Sequence, residues 1–265
     1  MIIAQLSDFH ARPPGVLAYG GLDTNATMRC AVAAAAALKP APDCVVVTGD
    51  LADAGLPEEY GEVSAALAAL PMPVYLIPGN HDRREAMRAG LGTCCPSLHG
   101  DGPFLRYVAE AGPVRLIALD TVAPGDDGGE ICAEREAWLE RRLAEGEGRP
   151  TILLMHHPPF PTGVPAMEPM ICRTRPSFAA LIARHPEIER ILSGHFHRPI
   201  AVRYAGTIGF VAPGTAHQVV LDLRPDQPNR FNHEPPGFAV HTYRPDTGMV
   251  SHVVPIGDFG PARDF

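Results

Sequence analysis

The sequence predicts an α/β fold, on three observations. Short apolar runs rich in β-branched residues recur along the chain, each bounded by Gly, Pro or Asp. Helix-forming stretches separate them, and the polar residues of most interest fall just after the runs.

The expected strands are Met1 to Leu6, Cys44 to Thr48, Val74 to Ile77, Arg115 to Leu119, Thr151 to Met155 and Arg190 to Leu192. They are nearly continuous in apolar residues, as strands covered on both faces are. Ala26 to Leu38 is alanine-rich and reads as a helix. Pro57 to Leu70 opens with proline and two glutamates, which suits a first helical turn. Glu134 to Ala144 sets Trp138, Leu139 and Leu143 at near-helical spacing among charges, and Ser177 to Arg184 is a fourth helix. Past Thr207 the helical pattern fades while Pro and Gly rise. Short strands are expected there at Phe210 to Ala212, Gln218 to Leu223, Ala239 to Tyr243 and Met249 to Val254. Residues 1–206 are therefore expected to form the core. Residues 207–265 would add strands, a substrate-facing loop, and a cap or oligomer contact.

Composition narrows the function classes. With 46% hydrophobic residues the chain can bury a large core. Thirty acidic against 22 basic residues leave a net charge of -8, so there is no basic footprint for nucleic acid. No run approaches the ~20 apolar residues of a membrane span, and the first residues lack a basic signal-peptide region. The six cysteines form no CxxC pair. Free thiols and a cytoplasmic location are the expectation.

Five polar motifs close five of these six strands, in order: SDFH at Ser7 to His10, TGDLAD at Thr48 to Asp53, PGNHD at Pro78 to Asp82, MHHPP at Met155 to Pro159, and SGHFH at Ser193 to His197. Ligands of open α/β sheets collect beyond the carboxyl ends of strands, so five loops can converge on one place. Singly these motifs are weak. Asp8 and His10 would share one side of an extended segment, but that spacing is common; Asp50 could cap a helix; a Gly79 to Asp82 turn could be purely structural. Together they are specific, because six of the twelve histidines lie in these loops. Mixed carboxylate and imidazole donors suit Zn, Mn, Fe or Co. Two divalent ions carry four positive charges; Asp8, Asp50 and one hydroxide remove three, and about one is left to attract a phosphodiester anion.

In order and spacing these motifs resemble those of the calcineurin-like metallophosphoesterases: DxH, GD, GNHD, a lone His, and GHxH, over Met1 to Pro199. A narrower resemblance is to bacterial glycerophosphodiesterases of the class III cyclic-nucleotide phosphodiesterase group. It is carried by Tyr19-Gly20 with Asp23 and Asn25, PEEY at Pro57 to Tyr60, YLIPGNHD at Tyr75 to Asp82, MHHPPFPTG at Met155 to Gly163, MEPMIC at Met167 to Cys172, and PGTAHQV at Pro213 to Val219. The resemblance implies a four-layer αββα sandwich with a small C-terminal β/loop extension, and an oligomeric enzyme. It implies one metal on Asp8, His10 and His197, a second on Asn80, His156 and His195, and Asp50 bridging them. His81 would be catalytic and contact substrate, His217 would contact substrate, and His157 would lie behind the metal ligands. A metal-bound hydroxide would attack a small phosphodiester such as a glycerophosphodiester. A 3',5'-cyclic nucleotide is the alternative substrate, since Asp53 resembles that branch. The protein phosphatases instead carry arginine after the second Asp of GDxxDRG, where this chain has Ala54. A metal-free interaction scaffold should have lost ligands, and this chain keeps all seven.

Overall fold

The computed structural model describes residues 1–100, 102–261, 263 and 264. Strands β1 (Ile2–Leu6), β2 (Cys44–Thr48) and β3 (Val74–Ile77) are parallel neighbours, with Ile3 opposite Cys44 and Val45 opposite Val74. Helices α1 (Thr24–Ala36), α2 (Pro57–Leu67) and α3 (Arg84–Leu91) pack on their outer face through Met28, Ala31, Tyr60, Val63, Met87 and Leu91. Local chemistry places the helix starts. Asp23 accepts the Ala26 N–H at 2.8 Å, and Glu59 accepts the N–H groups of Ala54 and Leu56 at 2.9 and 3.0 Å.

The second sheet contains β4 (Tyr107–Ala111), β5 (Val114–Leu119), β6 (Thr151–Met155), β7 (Ile188–Ser193), β8 (Ile200–Tyr204) and β9 (Thr207–Val211), in the order β4-β5-β6-β7-β9-β8. Its alternation explains the layers. Leu116, Ala118, Ile152 and Leu154 face the first sheet. Ile117, Leu119, Leu153 and Met155 face α4 (Ala133–Ala144) and α5 (Pro176–Ala183). The result is helices, sheet, sheet, helices, the expected sandwich.

The expected boundary at 206/207 falls at the start of β9, which pairs with β7 and β8 inside the second sheet. After the two-residue ladder of β10 (Gln218–Val219) and β11 (Phe231–Asn232), β12 (Gly237–Arg244) and β13 (Gly248–Pro255) form a hairpin. β12 inserts antiparallel beside β1, giving the order β13-β12-β1-β2-β3. Strands between Thr207 and Pro255 are thus woven into both sheets, while the stretch from Val220 to Pro236 is largely exposed. All six cysteines are free, and no helix among the described residues is long and apolar enough to cross a membrane.

β12 also brings His241 into the layer between the sheets. Its Nε2–H donates to Gln5 Oε1 at 2.9 Å, and its Nδ1 accepts from the Ser251 hydroxyl at 2.8 Å. Gln5 in turn donates to Thr48 Oγ1 and to the Ser193 carbonyl of the other sheet. Burial, with the nearby Arg190 charge, pushes the His241 imidazole down to about 3. The unfolded chain, near 6.5, takes up this proton first, so the contribution of neutral His241 to stability is complete above about pH 6.5 and declines as pH falls toward 3. Between pH 7 and 5 the loss is about 2 kcal/mol. His241→Gln keeps a polar side chain without a titration in this range. Denaturant unfolding should show the wild-type advantage over this variant shrinking by that amount across the interval; a constant difference would refute the assignment.

Candidate metal centre

The carboxyl ends of β1, β2, β3, β6 and β7 lie together, and the loops leaving them carry every residue singled out in the five motifs. The loops are cross-tied: Asp8 N donates to Gly49 O, His10 N to Asp50 O, and Gly194 N to His156 O, at 2.9 to 3.1 Å. Asp8 and His10 do not sit in an extended segment as their spacing suggested. Asp8, His10, Asp50, His195 and His197 all have positive φ, between 47° and 72°. They are five of the nine non-glycine residues in that region among the described residues, a conformation that non-glycine residues hold only where packing enforces it. Two glycines make room for the result. A Cβ on Gly79 would lie 2.2 Å from Asp50 Oδ1, and one on Gly194 would lie 2.0 Å from Ser7 Oγ.

The side chains form two adjoining groups around Asp50. In the first, Asp8, His10, Asp50 and His197 bring donor atoms within 4.8 Å of one another. His197 Nε2 is 3.5 Å from Asp8 Oδ1, His10 Nε2 is 3.7 Å from Asp50 Oδ2, and the two Nε2 atoms are 3.2 Å apart. In the second, His156 Nε2 is 3.3 Å from Asp50 Oδ2 and 3.1 Å from Asn80 Oδ1. Asp50 Oδ2 faces both groups. His195 stands against His156, with ring centroids 5.1 Å apart.

Backbone acceptors set which nitrogen each ring presents. His156 Nδ1–H donates to Thr48 O at 2.7 Å and His197 Nδ1–H to His217 O at 3.0 Å, so both turn an Nε2 lone pair inward. Asp8 Oδ2 and His195 Nε2 are buried with no hydrogen-bond partner among the described residues. Lone pairs of buried oxygens and nitrogens facing one another at these distances repel, and cations between them would relieve it. The donor set fits metal ions. His157 lies close but has both nitrogens engaged, Nδ1 by Thr121 Oγ1 at 2.7 Å and Nε2 by Asp127 O at 3.1 Å.

The site's electrostatics follow from burial and from its carboxylates. Burial raises the Asp8 carboxyl even beside His156. Asp50 is equally buried, yet His156 and His81 hold it well below the usual range. Burial lowers His156, but Asp50 outweighs this and lifts it to about 9, so without a metal its Nε2 takes up a proton that a bound cation would displace. Burial and neighbouring imidazoles drive His195 well below its ordinary value and His197 down to about 3.

Other residues of the same motifs support the donor set. Asp53 accepts the Tyr19 hydroxyl at 2.5 Å, stands 3.3 Å from His10 Nδ1 and pairs with Arg12, so it orients the His10 ring. Asp82 accepts the N–H groups of Leu51, Ala52 and Gly79 and the Tyr60 hydroxyl, pinning the Asp50 loop to the Asn80 loop. Burial, reinforced by the Asp50 charge, pushes Asp82 up to about 6. His81 donates Nδ1–H to Asp53 O at 2.6 Å and stands edge-on to His10 with centroids 4.7 Å apart, leaving its Nε2 for a ligand. The His217 ring lies 4.4 Å from His197 and 4.5 Å from Tyr19, centroid to centroid, and its Nδ1 has no partner among the described residues. A cavity of about 340 Å³ runs over these groups, bounded by Tyr19, Met167, Met170 and Phe231.

Residues 1–199 match the calcineurin-like phosphoesterase family. The chain is 35% identical over 244 residues to the glycerophosphodiester phosphodiesterase GpdQ of Enterobacter lignolyticus, covering 91% of this chain and 86% of that protein. It is 33% identical over 220 residues to a cAMP/cGMP dual specificity phosphodiesterase of Mycobacterium tuberculosis, 82% of this chain and 67% of that one. Among solved structures, a dimetal phosphatase from Danio rerio superposes with a TM-score of 0.69 at 15% identity, covering 97% and 99% of the two chains.

Proposed function

Because the chain belongs to the calcineurin-like phosphoesterase family, we propose that it is a two-metal hydrolase of small phosphodiesters of the glycerophosphodiester type. Asp8, His10 and His197 would hold one ion, Asn80, His156 and His195 the other, with Asp50 shared between them. The observation that carries this reading is Asp50 Oδ2, which faces His10 Nε2 at 3.7 Å and His156 Nε2 at 3.3 Å. The ions, drawn from Zn, Mn, Fe or Co, supply an activated water and neutralise charge developing on the phosphoryl group. The protein does the rest. Asp53 and the Thr48 and His217 carbonyls fix the ring orientations. His81 Nε2 faces the phosphoryl oxygens or the leaving oxygen, and His217 contacts the substrate from the other side. A cytoplasmic location and self-association through the exposed stretch with Leu221 and Leu223 belong to the same reading.

A diester presents one negative charge and a monoester near neutrality almost two. Two ions against Asp8, Asp50 and a hydroxide leave about one positive charge, and the cavity over the donors adds one cationic side chain, Arg230, which is already paired with Asp222. The metal-loaded enzyme should therefore favour a diester over its matching monoester by at least about tenfold in kcat/KM, a difference of ~1.4 kcal/mol in transition-state binding. A tenfold preference for the monoester would make the protein a phosphatase.

A second reading, cleavage of 3',5'-cyclic nucleotides, is favoured by one feature. The rings of Tyr19 and Phe231 at the mouth lie 5.4 Å apart and could stack on a base. Comparing kcat/KM for glycerophosphoethanolamine and cyclic AMP on the same preparation separates the two readings.

A further inference from the structure

Asn80 and His81 stand between two cavities. The first is the one over the metal donors. The second, about 680 Å³, opens on the other side of His81 and is walled by Arg83, Arg84, Arg88 and Pro124. Three arginines on one wall stand out in a chain of net charge -8, but their charges are not equally available. Arg84 is held by Asp120, with Nε and Nη2 at 2.6 and 2.9 Å from its two oxygens. Arg88 gives Nε to the Leu98 carbonyl at 3.0 Å.

Arg83 is different. Its Nε donates to the Ala54 carbonyl at 3.1 Å, and its backbone N–H to the Tyr60 hydroxyl at 2.9 Å. Its stem crosses Gly55, where a Cβ would come within 2.4 Å of Arg83 Cγ. An exposed arginine is thereby held in one place, with its two terminal nitrogens free of partners among the described residues. Among the described residues it pairs with no carboxylate, and its sequence neighbour Asp82 is fully used by four donors. Among the described residues, Glu85 is the one other acid on this wall. A guanidinium pre-ordered in this way matches a carboxylate or phosphate in fork geometry and gives up little entropy on binding.

We propose that this second cavity receives one ester arm of the substrate and that Arg83 selects arms ending in a carboxylate or a phosphate. The inference rests on the diesterase reading above, which places the phosphorus beside Asn80 and His81. From there one arm points toward the metal-side cavity and the other toward Arg83.

The test uses the full-length, metal-loaded protein and three diesters of glycerol 3-phosphate. Their second arms are glycerol (neutral), glycerate (carboxylate) and glycerol phosphate (a second phosphate). Arg83→Gln should lower kcat/KM for an anionic arm about tenfold more than for the neutral arm, chiefly through KM. Arg83→Glu should widen that gap. Loss for the carboxylate arm alone, or for the phosphate arm alone, identifies which anion the cavity takes. Equal losses on all three diesters, or none on any, would overturn the assignment while leaving the diesterase reading intact. If the wild-type enzyme cleaves none of the three, the diesterase reading falls and the inference falls with it.

Discussion

Asp50→Ala is expected to release both metal ions and to lower kcat/KM by roughly 10³-fold or more, because several kcal/mol of Lewis-acid stabilisation leave with the ions. Among the described residues no other side chain faces both donor groups as Asp50 does, through the single oxygen Oδ2. Its Oδ1 also accepts the His81 N–H at 3.0 Å, so the substitution loosens the Asn80–His81 turn as well. Asn80→Ala is the control. Asn80 Oδ1 lies 3.1 Å from His156 Nε2 and touches the second group only, and a neutral amide oxygen is a weak donor. Its removal should weaken one ion and spare the other. Elemental analysis after dialysis, followed by titration calorimetry, reads both outcomes. If Asp50→Ala kept one ion at wild-type affinity, Asp50 would not be the bridge.

Much of this architecture is written locally, and the rest has either a weak local mark or a distant partner. β2, β3 and β6 appear with the ends their apolar runs predicted, since a strand buried on both faces stops where its polar loop begins. The helix at Arg84–Leu91 was not anticipated. Only Met87 and Leu91 mark its buried face, and two arginines start it where a capping residue would be expected. β4 at Tyr107–Ala111 carries an alternating pattern, buried at Tyr107, Ala109 and Ala111, which was the available signal. The placement of β12 beside β1 had none, because a hairpin does not encode which sheet edge receives it. The site divides in the same way. Asp8, His10, Asp50, Asn80, His156, His195 and His197 follow strand ends and could be named from the chain. Asp53, Asp82 and Gln5 act through hydrogen bonds spanning up to 236 positions, and Arg83 is distinguished by which partners it lacks.

His81→Ala should retain both ions and lose roughly 10²-fold in kcat, the span of a single positioned proton donor. Metal retention follows from geometry: His81 Nδ1 is committed to the Asp53 carbonyl at 2.6 Å, and its ring abuts His10 from outside the donor set. What the lost rate means depends on the substrate. Burial pulls the His81 imidazolium down, but Asp50 and Asp53 draw its pKa above the ordinary 6.5, which favours a proton on Nε2. Metal ions on Asp50 offset part of that pull, so the loaded enzyme must decide between two roles. If Nε2–H protonates the departing alkoxide, the penalty should be near its full size for a glycerophosphodiester, whose alcohol is a poor leaving group. It should shrink toward unity for bis(p-nitrophenyl) phosphate, whose phenolate leaves without a proton. If Nε2–H instead stabilises the non-bridging oxygens, both substrates should lose equally, because that charge develops whatever group departs. Loss of metal in His81→Ala would contradict both roles and make His81 a ligand.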